Sequence, residues 1–106
     1  MNKYIDFELV RKASTSHALP IVQRWLPDGR IEGCEYKARN PRRSDKNIGS
    51  FCINLRTGKW ADFAAGDASG VDIISLAAYL FDLKYYDAAL RLADMLNVGG
   101  VHNEKH

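Results

Sequence analysis

Gly49-Ser50-Phe51-Cys52-Ile53-Asn54-Leu55-Arg56-Thr57-Gly58-Lys59-Trp60-Ala61-Asp62 is the stretch that decides the fold class. Two short runs of strand formers, 50–54 and 59–62, flank Leu55-Arg56-Thr57-Gly58, where glycine can take the left-handed position of a tight turn. A β-hairpin follows. Upstream, residues 30–39 alternate with period two, charged at every second or third place, and read as a third strand with one wet face. The intervening segment 40–49 holds Pro, Gly, Asn and Ser with almost nothing apolar, so an exposed loop is expected there. Together these segments predict a three-stranded antiparallel sheet.

Helices surround it. Ile5, Leu9 and Val10 recur at helical spacing ahead of Ser14-Thr15-Ser16, predicting a helix over 5–17. Pro20 suits the first turn of a second helix over 18–26, with Ile21, Val22, Trp25 and Leu26 as its apolar stripe. Ser69 with Asp72 three places on fits a capping box that opens a third helix over 71–81. Its Ile73, Ile74, Ala77, Ala78 and Leu80 make that helix the spine of the core. A fourth, over 85–96, turns Ala88, Leu92 and Leu96 inward. The expected fold class is α+β, a three-stranded antiparallel sheet packed with about four helices. Residues 1–98 read as one domain and 99–106 as a flexible tail.

At 106 residues and 46% hydrophobic, the chain can fill one core but not two. Nothing approaches the roughly 18 consecutive apolar residues of a membrane span, and the start lacks a signal peptide's apolar stretch, so a cytoplasmic protein with no membrane partner is expected. Cys34 and Cys52 form no C-x-x-C pair, and His17 is the one histidine inside the expected fold, so spacing suggests no metal site. No Gly-Lys-Ser/Thr phosphate loop and no Gly-x-Ser-x-Gly turn occurs. Asp62, Asp67 and Asp72 are spaced by five, and a capping role for Asp72 favours a structural reading. No residue is assigned to catalysis, and no cofactor is expected.

The charges are segregated. Residues 37–59 carry seven bases, Lys37, Arg39, Arg42, Arg43, Lys46, Arg56 and Lys59, against one acid, Asp45, whereas the remainder holds eight bases and twelve acids. A basic segment in an otherwise acidic domain suggests one face built for a polyanion. Aromatics interleave with it: Tyr36, Phe51 and Trp60 lie on or beside the strands that carry those cations. Rings that stack bases beside cations that neutralise phosphates are how single strands are held. Phe51 is expected in the core; Trp60 fits either the core or a stacking role. The candidate nucleic-acid-binding residues are therefore Lys37, Arg39, Arg42, Arg43, Lys46, Arg56, Lys59 and Trp60.

The order of features from 40 to 80 resembles the zinc-ribbon domain at the amino end of DnaG-type bacterial primases and phage or plasmid primase-helicases. Asn40-Pro41-Arg42-Arg43 stands where that family has C-P-x-H, Gly49-Ser50-Phe51-Cys52-Ile53 where it has P-S-F-x-V, and Trp60-Ala61-Asp62-Phe63-Ala64-Ala65 where it has an aromatic strand with C-x-x-C. Gly70-Val71-Asp72-Ile73-Ile74 is similar to its glycine loop and apolar helix, and Tyr85-Tyr86-Asp87-Ala88-Ala89-Leu90-Arg91-Leu92-Ala93 to its closing F-x-E-A-V-x-x-L-A. The four ligand positions appear here as Asn40, Arg43, Asp62 and Ala65, so the resemblance implies a zinc-ribbon-like fold that is metal-free. An Arg43–Asp62 ion pair could bridge the old site, with packing of Phe51, Trp60 and Phe63 on the third helix supplying most of the stability.

The resemblance also implies a function. In that family the ribbon binds single-stranded template for a separate polymerase domain. The expectation is a non-catalytic single-stranded DNA-binding module of a bacterial, phage or mobile-element replication system, partnered by a primase polymerase domain or a replicative helicase. The alternative is a metal-free protein-interaction module that docks on a replicative polymerase or helicase.

Overall fold

A short acidic side chain ahead of an apolar-periodic run is a helix start, and Asp6 provides it: its carboxylate accepts from the Leu9 amide at 3.1 Å and opens α1, Phe7–Ser16. The computed structural model describes residues 3–42, 49–64, 68–98 and 101–103. The Ser/Thr run closes α1. Ser14 and Thr15 hydroxyls both donate to the Arg11 carbonyl at 2.9 Å and Ser16 to that of Lys12 at 3.0 Å. His17 then separates α1 from α2, Ala18–Trp25, whose Ala18, Ile21 and Val22 are buried.

Five strands, not three, make the main sheet: β2 Arg30–Glu32, β3 Glu35–Ala38, β4 Phe51–Asn54, β5 Trp60–Asp62 and β6 Ser69–Gly70, antiparallel in that order. Two features of the chain account for the difference. The alternating run 30–39 is not one strand, because Gly33 at φ 62° folds it back so that Glu32 faces Glu35. Ser69 and Gly70 pair with Ala61 and Trp60 instead of opening a helix. The capping box lies three residues later. Asp72 is the N-cap of α3, Ile73–Phe81; its carboxylate accepts from the Ser75 amide at 2.7 Å, and the Ser75 hydroxyl approaches the Asp72 amide at 3.4 Å. The β4–β5 turn is as expected, with Gly58 at φ 81° and the Asn54 side chain accepting from the Arg56 and Thr57 amides.

α4, Tyr85–Leu96, completes the set of four helices among the described residues. β1, Lys3–Ile5, pairs antiparallel with β7, Val101–Asn103, so part of the stretch expected as a tail is strand. The core lies between the inner sheet face and the helices, where Tyr36, Phe51 and Ile53 meet Ile73, Ile74 and Leu76, all at 2% exposure or less. Among the described residues, no helix is long and apolar enough to cross a membrane.

Candidate nucleic-acid interface

Strand alternation sorts the candidate residues before any contact is considered. Cross-strand register places Ile53 between Tyr36 and Trp60, and Phe51 between Ala38 and Asp62, all on the buried face. The opposite face therefore carries Lys37, Cys52 and Ala61 in one row and Glu35 and Asn54 in the next. Lys59 and Phe63 extend it at either end of β5 and share a shallow depression with Glu35, Cys52, Asn54 and Ala61. α3 lies against the inner face, while on the outer side Cys52 is only 6% exposed, its thiol turned to the Gly49 carbonyl, and Lys59 and Phe63 stand exposed.

Trp60 faces the wrong way for stacking. Its ring is 5% exposed, set edge-on to Phe51 at 5.9 Å and tilted on Tyr79 at 5.0 Å, and its indole N–H donates to the Ser75 hydroxyl at 3.0 Å. Gly70 of the neighbouring strand lies so close over the indole that a side chain there would overlap Trp60 and Ser75. The open face has a different ring. Phe63, expected to pack on the third helix, is 75% exposed beyond the end of β5, with its amide held by the Ser50 carbonyl at 2.8 Å. The signal was in the period: if Trp60 and Asp62 point inward, Ala61 and Phe63 point outward.

The cations divide in three. Lys37 and Lys59 flank the open face, and Arg39 is the next outward position beyond β3 and is exposed. Lys37 lies 3.4 Å from Glu32, which also holds Arg30 at 2.7 Å. Those bonds, Arg30's first, keep the Glu32 carboxyl below its ordinary range. Arg39, Arg56 and Lys59 enter no ion pair among the described residues. Arg56 sits at the hairpin end, its guanidinium 3.9 Å from the Cys34 sulfur. Arg42 is on the helix side: its guanidinium lies 5.4 Å over the Tyr79 ring and donates to the Tyr79 carbonyl at 3.0 Å. The expected single basic face thus does not include it. Arg43 and Lys46 lie outside the described residues.

Two of the positions that the sequence resemblance sets at zinc ligands, Asn40 and Asp62, form a hydrogen-bonded closure. Asn40 and Asp62, 1% and 2% exposed, are joined by the Asn40 amide donating to the Asp62 carboxylate at 2.9 Å. That amide also donates to the Tyr79 hydroxyl at 2.7 Å, while the Asn40 carbonyl accepts from the Arg42 amide and Asp62 from the Ala64 amide. Arg43, and with it the Arg43–Asp62 pair, lies outside the described residues, as does Ala65. These groups do not fit zinc. An amide and a carboxylate already bonded to each other replace thiolate or imidazole donors, and among the described residues no three His, Cys, Asp or Glu side chains converge. The Cys52 thiol is also a poor donor, because burial pushes its pKa up and it points at the Gly49 carbonyl. Elemental analysis of the purified protein is expected to find zinc well below one equivalent per chain. Asn40→Ala should cost about 1–3 kcal/mol in urea unfolding by removing a donor from a buried carboxylate.

The arrangement has a solved counterpart. The fold matches the crystal structure of the Aquifex aeolicus primase, described as its zinc-binding and RNA polymerase domains, at a TM-score of 0.72 and 22% identity. The match is to the zinc-binding domain. It covers 89% of this chain and 22% of that one, so the chain spans about a fifth of the protein it matches. No family model and no curated protein matches the sequence. At this identity what is shared is the fold.

Proposed function

We propose that this chain is a non-catalytic, cytoplasmic single-stranded DNA-binding module of a primase or primase-helicase system in a bacterium, phage or mobile element. It holds template on the open sheet face, for a polymerase domain or helicase carried elsewhere. The observation that carries this reading is the exposed Phe63 at one end of β5 and Lys59 at the other, lining one depression, with Lys37 and Arg39 on the same side and Arg56 at the hairpin end. An aromatic face flanked by cations takes a base and its phosphates irrespective of sequence. The fold shared with a primase supports the choice of system. The acids Glu32 and Glu35 lie on the same face and temper its affinity for a polyanion.

Fluorescence anisotropy with a labelled oligothymidine at two salt concentrations tests the reading. Binding in the micromolar range is expected. Three to four phosphate contacts give a slope of log K against log salt of about −2 to −3, at roughly 0.7 per contact. Phe63→Ala should weaken binding by about 1–3 kcal/mol with the slope unchanged, while Lys59→Ala should flatten the slope by about 0.7. Wild-type affinity in both variants would move the template off this face.

A further inference from the structure

On the other side of the molecule, α2, α3 and α4 leave an apolar groove that shares no residue with the open sheet face. Its floor is Ala77, Ala88 and Leu92, buried side chains of α3 and α4, and its walls include Trp25, Phe81 and Met95. Phe81 and Met95 stand 47% and 37% exposed, though the residues around them belong to the core. The cavity is about 210 Å³. That admits one or two bulky side chains and falls short of the ~300–1,000 Å³ usual for a cofactor or drug-sized ligand.

The rim gives the groove a sign. Arg24 and Arg91 line it, no acid does, and neither arginine enters an ion pair among the described residues. Asp87 and Asp94 stand four before and three after Arg91 on α4, a spacing that permits pairing, yet neither pairs with it. We propose that this groove docks an acidic amphipathic peptide segment of a partner protein, its apolar side chains between α2, α3 and α4 and its carboxylates on Arg24 and Arg91.

The floor argues against nucleic acid as the occupant. Small aliphatic side chains in a narrow cleft receive a leucine or phenylalanine better than the flat face of a base. Trp25 and Phe81 are already set edge to face at 5.4 Å and 82°, so these two rings pack on each other. Two cations would also give a strand only a slight salt dependence, about 1.4 in slope. A helix or turn that places apolar and acidic residues on one side satisfies floor and rim together.

The test uses the full chain, isotopically labelled, and two synthetic octapeptide pools. One mixes Asp and Glu with Leu, Phe and Met; the other carries Lys and Arg in place of the acids. The acidic pool is expected to shift the Trp25 indole, Ala77 and Met95 resonances saturably, and the basic pool is not. The double variant Arg24→Glu/Arg91→Glu should bind the acidic pool at least about tenfold more weakly and gain affinity for the basic one. If the reversed pair unfolds, Arg24→Gln/Arg91→Gln should show the same loss. Equal binding of both pools, no saturable shifts, or reversal without effect would each overturn the proposal. So would displacement of the acidic pool by oligothymidine, which would make the groove a polyanion site, or sedimentation showing that two copies of the chain cover it.

Discussion

Phe51→Ala is expected to destabilise the protein by about 3–5 kcal/mol in urea unfolding, while Phe63→Ala, twelve positions on, should change stability by no more than about 0.5 kcal/mol. Phe51 is fully buried at the centre of the sheet, where its ring meets Trp60 edge-on at 5.9 Å and Tyr79 at 6.3 Å. Truncation there removes transfer energy and leaves a cavity that strand and helix cannot close without moving. Phe63 is 75% exposed and loses little. Phe51 opens β4 and Phe63 follows the end of β5, its hairpin partner, and the two rings are chemically identical, so the contrast isolates the effect of facing. Equal costs would mean that the register of β5 is wrong, and with it the case for the open face.

Asp72→Ala is expected to cost about 2–4 kcal/mol by the same measurement, more than a helix cap alone, which contributes about 1 kcal/mol. The carboxylate is buried and accepts from three elements: the Ser75 amide at 2.7 Å, the Tyr85 hydroxyl at 2.6 Å and the Arg11 guanidinium at 3.0 Å. It therefore caps α3 while tying α1 and α4 to it. The cost stays below that of breaking a fully buried pair because Arg11 keeps 39% of its side chain in solvent. Tyr85→Phe, which removes one of the three donors, should cost about 1 kcal/mol.

The same site sets an acid limit. Burial pushes the Asp72 carboxyl up, but hydrogen bonds from Tyr85, Ser75 and Arg11 outweigh it and hold the folded-state pKa below the ordinary 3.8. The unfolded chain then takes up the proton first. Stability from Asp72 is fully present above 3.8 and is lost as pH falls below it, through the folded-state value. In Asp72→Ala the fall in stability below that pH should be shallower than in the parent.

Local structure was legible wherever its causes lie within a few residues. The last helix runs over the expected 85–96, and the hairpin turns at Gly58, because apolar spacing and a glycine act on their immediate neighbours. The order of motifs from 40 to 93 also led to a ribbon fold, which the primase structure shares. The strand count departs from expectation at two places: Gly33, where a period-two pattern continues on both sides of a turn and so hides it, and Ser69-Gly70, which pair with β5 where a helix start is expected.

What tertiary structure alone decided depends on partners far along the chain. Asp72 reads as a plain cap until Arg11, 61 residues away, arrives beside it, and Asn40 as a loop residue until Asp62 and Tyr79 close over it from 22 and 39 residues away. The facing of aromatics is decided in the same way. Trp60 follows Lys59 and Phe63 follows Asp62 in sequence, but a strand has two faces, and only docking on α3 determines which face goes to the core. Composition and spacing set the elements of this protein; the side on which each ring and charge is displayed came from how those elements pack.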